Sequence, residues 1–160
     1  MRRLEGAQCL GAHLEGPFVN RSRRGALPRR WIRSPTAREL EALRRAAGKR
    51  LKLMTMAPEL PGAIEAIRWW TKQRVTTSLG HSEASREIGL RAVAAGARAI
   101  THVFNGMPRF DHRRPSLVDV ALTEPRLTAM VIADGIHVSP SAFRLLLRAK
   151  GPEGIALVTD

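Results

Sequence analysis

Residues 51–104 read LKLMTMAPEL PGAIEAIRWW TKQRVTTSLG HSEASREIGL RAVAAGARAI THVF. Three apolar runs of strand length, Leu51 to Met56, Val75 to Leu79 and Arg98 to Val103, alternate with two amphipathic stretches of helical period, Ala63 to Thr71 and Ser85 to Ala95. Strands separated by helices pair in parallel through crossovers, so the stretch predicts an α/β fold. The same alternation extends both ways. Further strand-length runs occur at Gln8 to Leu14, Leu127 to Ala133 and Ile155 to Val158, which brings the expected strands to six. A helix is predicted over Pro35 to Ala47, with Ser34 as cap, Pro35 in the first turn, Leu40 and Leu43 facing inward and Gly48 ending it. Ser139-Pro140 opens another, with Phe143, Leu146 and Leu147 on one face and Gly151 after it, and a shorter helix is expected at Ser116 to Leu122. No repeat, low-complexity tract or linker interrupts the series.

The 160 residues are 44% hydrophobic and 26% charged, the composition of a chain that packs a core, and the length suits one domain. Cys9 stands alone, which excludes an internal disulfide framework and a cysteine-based zinc knuckle, so any metal must be held by His and carboxylates. No apolar run approaches the ~20 residues of a membrane span, and Met1-Arg2-Arg3 is not followed by a signal-peptide core. A soluble, cytoplasmic protein with no membrane partner is expected. The net charge of +13 comes from 23 Arg and only four Lys, and with no Tyr and 4% aromatic residues it does not read as a nucleic-acid surface. Arg21, Arg23, Arg24, Arg29, Arg30 and Arg33 form a local cluster that is either a solvated loop or a loop that meets a phosphate.

The residues with chemical potential fall at the ends of the runs. They are Glu15, Glu59, His81, His102, Asp134 with His137, and Asp160, and four of the five histidines, His13 among them, belong to these strand-end motifs. In a parallel sheet or barrel these C-terminal ends share one face, where active sites are built. Glu15, His81 and His102 are the candidate ligands of a catalytic divalent metal, which three such side chains hold while leaving a position for water. Asp160 is the candidate base that takes a proton from that water and returns it to a leaving group. His13, two residues before Glu15, shares its strand face and is not counted as a ligand.

Seven stretches resemble, in order, the signatures of the N-acetylglucosamine-6-phosphate deacetylase family of the amidohydrolase superfamily. They are His13-Leu14-Glu15-Gly16-Pro17-Phe18, Arg23-Arg24-Gly25-Ala26, Ala57-Pro58-Glu59, Gly80-His81-Ser82, Thr101-His102-Val103-Phe104-Asn105-Gly106-Met107-Pro108, Ala133-Asp134-Gly135-Ile136-His137-Val138 and Val158-Thr159-Asp160. The resemblance implies a metal-dependent hydrolase of linear amides that converts N-acetyl-D-glucosamine 6-phosphate to D-glucosamine 6-phosphate and acetate in amino-sugar catabolism. It implies one metal site at Glu15, His81 and His102, holding zinc, with iron or cobalt serving in relatives, and Asp160 as the catalytic acid/base. His137 resembles a histidine that contacts the substrate and supports the oxyanion. Arg113, Asn105 and the backbone of Gly106 resemble the group that receives the sugar phosphate, and Ala26 aligns with a backbone contact to substrate. The implied partner is the phosphorylated amino sugar, with no nucleic acid, and the full-length protein is expected to be a homodimer.

Three departures bear on specificity and rate. Leu27 stands where family members commonly have His, Gly106 where Ala is usual, and Arg114-Pro115-Ser116 where Glu-Pro-Gly follows the phosphate-binding arginine. A larger departure concerns extent. A complete (β/α)8 TIM barrel has eight strands in ~250 residues, and the resemblance identifies the six here as the third to eighth. Residues 1–160 are therefore expected to form a partial barrel domain without the first two strands, the last helix and the small β-domain, begun at an internal Met, cut after Asp160, poorly stable and largely inactive alone. Two other readings are another amidohydrolase, such as a deaminase or cyclic-amide hydrolase, and a basic nucleic-acid-binding module.

Overall fold

A computed structural model describes residues 6–160; Met1-Arg2-Arg3 lies outside the described residues. Six strands, β1 (Ala12–Glu15), β2 (Leu51–Met56), β3 (Thr76–Leu79), β4 (Ala99–Ile100), β5 (Thr128–Val131) and β6 (Ile155–Leu157), form one sheet in the order β1-β2-β3-β4-β5-β6, every neighbouring pair parallel. The connections carry α1 (Ala37–Ala47), α2 (Ala63–Lys72), α3 (Arg86–Ala95), α4 (Leu117–Thr123) and α5 (Pro140–Lys150). Spatial order that follows chain order never reverses, which distinguishes a curling barrel wall from a doubly wound sheet with its switch point. The arrangement is a six-strand arc of a (β/α)8 barrel: the alternation predicted the six strands and the α/β class, and the resemblance implied the partial barrel.

Each helix presents a narrow apolar stripe to this wall. In α2 the buried residues are Ala63, Ile64, Ala66, Ile67 and Trp70, spaced one turn apart. The core they join includes Met54, Met56, Leu79, Ile100, Leu117 and Val131 from the strands and neighbouring helices. The short helix α4 holds its start with a capping box, Ser116 with Asp119.

The predicted ends shift in several places. Thr36, not Ser34, caps α1, its hydroxyl accepting from the Glu39 amide at 3.3 Å, and Pro35 lies outside the helix. The Thr-x-x-Glu spacing supplies a better cap than Ser-Pro because Glu39 also falls in the positive first turn. Residues Gln8 to Gly11 stay outside β1. The run Arg98 to Val103 yields only a two-residue strand, because beyond Thr101 the chain turns through left-handed conformations at His102 (φ 31°) and Phe104 (φ 79°). That turn is what carries His102 off the ladder.

Candidate active site

Glu15 is the last residue of β1, and His81 and His102 each stand two residues past the end of β3 and β4. Both histidines adopt positive φ, 49° and 31°, a conformation that costs a non-glycine residue about 1–3 kcal/mol and survives only where the surroundings impose it. Gly80 is one reason it survives. A Cβ there would sit 2.8 Å from the Thr101 Cβ, so only glycine lets the chain before His81 pass so close to β4.

The side chains converge. Glu15 Oε1 lies 2.9 Å from His81 Nε2 and 3.0 Å from His102 Nε2, and the two Nε2 atoms are 3.1 Å apart. Both imidazoles are buried, edge to face, and Glu15 is half-buried. The opposite ring atoms are committed: His81 Nδ1 donates to the Arg23 carbonyl at 2.6 Å and His102 Nδ1 to the Asn105 carbonyl at 3.1 Å. A carbonyl oxygen only accepts, so each ring carries its proton on Nδ1 and, when neutral, offers a lone pair at Nε2. With both rings neutral, three acceptor atoms thus face one another, an arrangement that a cation between them, or a proton on one imidazole, relieves. A tetrahedral zinc with bonds of about 2.0–2.1 Å places its ligand atoms about 3.3 Å apart, close to the separations here. The donor set therefore fits a divalent ion of borderline softness and can bind one.

The titration behaviour follows the same geometry. Hydrogen bonds from His102 and then His81 hold the Glu15 carboxyl well below the usual carboxylate range. Burial opposes charge on His81, but the Glu15 and Arg23 hydrogen bonds outweigh it and raise its pKa.

Asp160 lines a cavity of about 260 Å³ together with His13, Glu15, Thr101, His102 and Met130. His13 Nε2 reaches the Thr55 hydroxyl at 2.7 Å, and Thr55, Thr101 and Ser78 continue a chain of buried hydroxyls at 2.7 and 2.6 Å across the barrel interior. His13 therefore joins this chain rather than the Glu15 cluster. The remaining predicted residues contribute no side-chain atom to the three-residue cluster among the described residues. His137 is half-exposed after β5, its Nδ1 2.7 Å from Asp134, whose carboxyl that contact lowers to about 2. Arg113 is exposed, its backbone amide donating to Asp111 at 2.9 Å. Ala26 is exposed; it follows Gly25, which approaches the His81 ring. Asn105 acts through its carbonyl on His102, and Gly106 accepts from the Ser82 amide at 3.0 Å. In the Arg21–Arg33 cluster, Arg23 pairs with Glu83 and Arg24 donates to the Leu27 carbonyl at 2.7 Å, while Arg21, Arg29 and Arg30 are exposed. The backbone carbonyls of Arg23 and Asn105 escaped sequence reasoning, since a carbonyl carries no residue signature.

A partial (β/α)8 barrel thus gathers a carboxylate and two imidazoles at its C-terminal strand ends, a donor set that could hold a divalent metal ion. The chain is 40% identical to the N-acetylglucosamine-6-phosphate deacetylase of Bacillus subtilis over 157 residues, 98% of this chain and 40% of that protein. It is 44% identical to the human enzyme of the same name over 163 residues, 97% of this chain and 39% of that protein. The crystal structure of N-acetyl-D-glucosamine-6-phosphate deacetylase from Mycobacterium smegmatis superposes with a TM-score of 0.90 at 38% identity, covering 94% of this chain and 40% of that one. An aspartate-to-alanine mutant of that enzyme in complex with N-acetyl-D-glucosamine 6-phosphate superposes with a TM-score of 0.89 at 38% identity, over 92% and 39% of the two chains. No protein-family profile matches. The particular proteins this chain resembles are thus N-acetylglucosamine-6-phosphate deacetylases, as its motifs indicated, and it spans about two-fifths of their length.

Proposed function

We propose that residues 1–160 form a partial barrel domain of an N-acetylglucosamine-6-phosphate deacetylase, in which Glu15, His81 and His102 hold one divalent ion, zinc foremost. The observation that carries the reading is the convergence of three acceptor atoms whose neighbouring protons are already committed to Arg23 and Asn105. The ion, when bound, supplies Lewis acidity to a water molecule and to the acetamide carbonyl. Asp160, on the wall of the same cavity, takes the proton of the attacking water on its carboxylate and delivers it to the departing sugar amine. Asp134 fixes the ring of His137 through Nδ1, leaving Nε2 for a hydrogen bond to the sugar or the acetamide oxygen. The guanidinium of Arg113, outside any ion pair among the described residues, forks onto the 6-phosphate, with Asn105, Gly106 and Ala26 lining the approach. The bound sugar phosphate of the M. smegmatis mutant supports this substrate class.

No helix among the described residues is long and apolar enough to cross a membrane, and the reading places the protein in the cytoplasm, as a homodimer at full length. The test is acetate release from N-acetylglucosamine 6-phosphate by the chain in its full natural polypeptide. Activity that Asp160→Asn abolishes is expected; activity that survives Asp160→Asn, or none with any divalent metal, contradicts the reading.

A further inference from the structure

Glu59 belongs to no role assigned so far. It lies in the loop after β2, and its carboxylate accepts three hydrogen bonds. Oε1 takes one from Asn20 Nδ2 at 2.9 Å and one from the Glu83 backbone amide at 2.7 Å, and Oε2 takes one from the Ser82 hydroxyl at 2.7 Å. These donors bracket His81. Ser82 and Glu83 follow it directly in the chain. Asn20 holds it from the other side: its backbone amide donates to the His81 carbonyl at 2.8 Å, and its side chain caps the turn Arg21–Arg23, accepting from the Ser22 amide at 2.9 Å. That turn ends on the Arg23 carbonyl to which His81 Nδ1 donates at 2.6 Å. The backbone of His81 is meanwhile left-handed, a conformation that needs external restraint.

We infer that Glu59 is a positioning residue: one carboxylate ties the loop after β1 to the loop after β3 and so keeps His81 Nε2 aimed at Glu15 and His102. This rests on the proposed metal site. A carboxylate suits the task because it accepts several hydrogen bonds at once and donates none, whereas the three groups it meets all donate. Partners that orient a ligand through its neighbours typically change metal affinity by about tenfold or more when removed.

The test is the affinity of the chain for Zn2+ and Co2+, measured by chelator competition, with the absorption spectrum of bound Co2+ as a geometric readout. Glu59→Ala is expected to weaken binding about tenfold and to shift the Co2+ bands. Glu59→Gln keeps one acceptor for Asn20 and Glu83 and a polar contact for Ser82, and is expected to stay within about threefold of the parent. Glu15→Ala separates the two levels of inference. If it leaves metal binding intact, the metal site itself is wrong. If it abolishes binding while Glu59→Ala leaves affinity and spectrum unchanged, the role of Glu59 is overturned. A lower melting temperature of the metal-free Glu59→Ala chain with unchanged metal affinity likewise overturns it, as does a Glu59→Gln variant as weak as Glu59→Ala. Should Glu59→Ala fail to fold, Asn20→Ala and Ser82→Ala each remove one arm. Weakened binding in both supports the inference, and unchanged affinity in either overturns it.

Discussion

Replacing Gly80 with alanine would place a Cβ 2.8 Å from the Thr101 Cβ, 3.3 Å from the Thr101 hydroxyl and 3.3 Å from the Thr55 Cγ2. Carbon atoms rest at about 3.5–4.0 Å, so the Thr101 side must retreat by several tenths of an ångström. Thr101 cannot simply rotate away. Its hydroxyl is held by Thr55 at 2.7 Å and Ser78 at 2.6 Å, and all three residues are buried. Yielding therefore costs either backbone displacement between β3 and β4, about 1–3 kcal/mol for overpacking, or hydrogen bonds worth about 1 kcal/mol each. A net destabilisation of about 2–3 kcal/mol lowers the melting temperature of a chain this size by about 5–10 °C. Because Gly80 precedes His81, metal affinity is expected to fall as well. Thermal unfolding with and without Zn2+ measures both. A Gly80→Ala chain that melts within a degree or so of the parent would refute the claim that the close approach of β3 and β4 sets the position of His81.

Three further outcomes follow from particular contacts. Asp160→Asn should abolish acetate release while leaving Zn2+ affinity close to that of the parent, a separation read by chelator competition beside the activity assay; a parallel loss of metal would make Asp160 a ligand instead. Arg113→Ala should raise KM for the phosphorylated sugar far more than it lowers kcat, since in the proposed reading the guanidinium meets the phosphate and not the reacting amide; an unchanged KM would remove Arg113 from the phosphate site. Glu124, whose carboxyl the Arg126 guanidinium lowers to about 2, stabilises the fold above the unfolded carboxylate pKa of about 4.3 and ceases to do so as pH falls towards 2. Urea titrations at pH 7 and pH 3 should therefore show Glu124→Gln less stable than the parent at pH 7, with the gap narrowing at pH 3. A gap that widens on acidification would reverse the sign.

The parallel α/β wall was legible because its strands and helices obey different periods and alternate without interruption from Leu51 to Val103 and beyond, while its being part of a barrel was implied by the motif resemblance. The ends of its strands were less so. Periodicity reads Ile100 and Val103 alike, whereas the chain leaves the ladder after Thr101 to aim His102, and that departure is enforced by hydrogen bonds from Thr101 to the Leu79 carbonyl and from Val103 to the Met130 carbonyl. Glu15, His81 and His102 were visible as strand-end residues, because parallel topology alone brings such positions to one rim. What orients them was not visible. The Arg23 and Asn105 carbonyls belong to the backbone, and Glu59 acts through Asn20, Ser82 and Glu83, residues far apart in sequence that only the folded loops unite. Arg113 and Ala26 illustrate the opposite case: motif resemblance singles them out, while in the structure both are exposed.

The most direct measurement is metal stoichiometry. The purified chain, equilibrated with Zn2+ and freed of excess ion, should carry one ion per chain by elemental analysis, and the Glu15→Ala, His81→Ala and His102→Ala variants should each carry little or none. A chain that retains no metal, or variants that retain as much as the parent, would contradict the assignment of Glu15, His81 and His102 as the ligands of a catalytic ion.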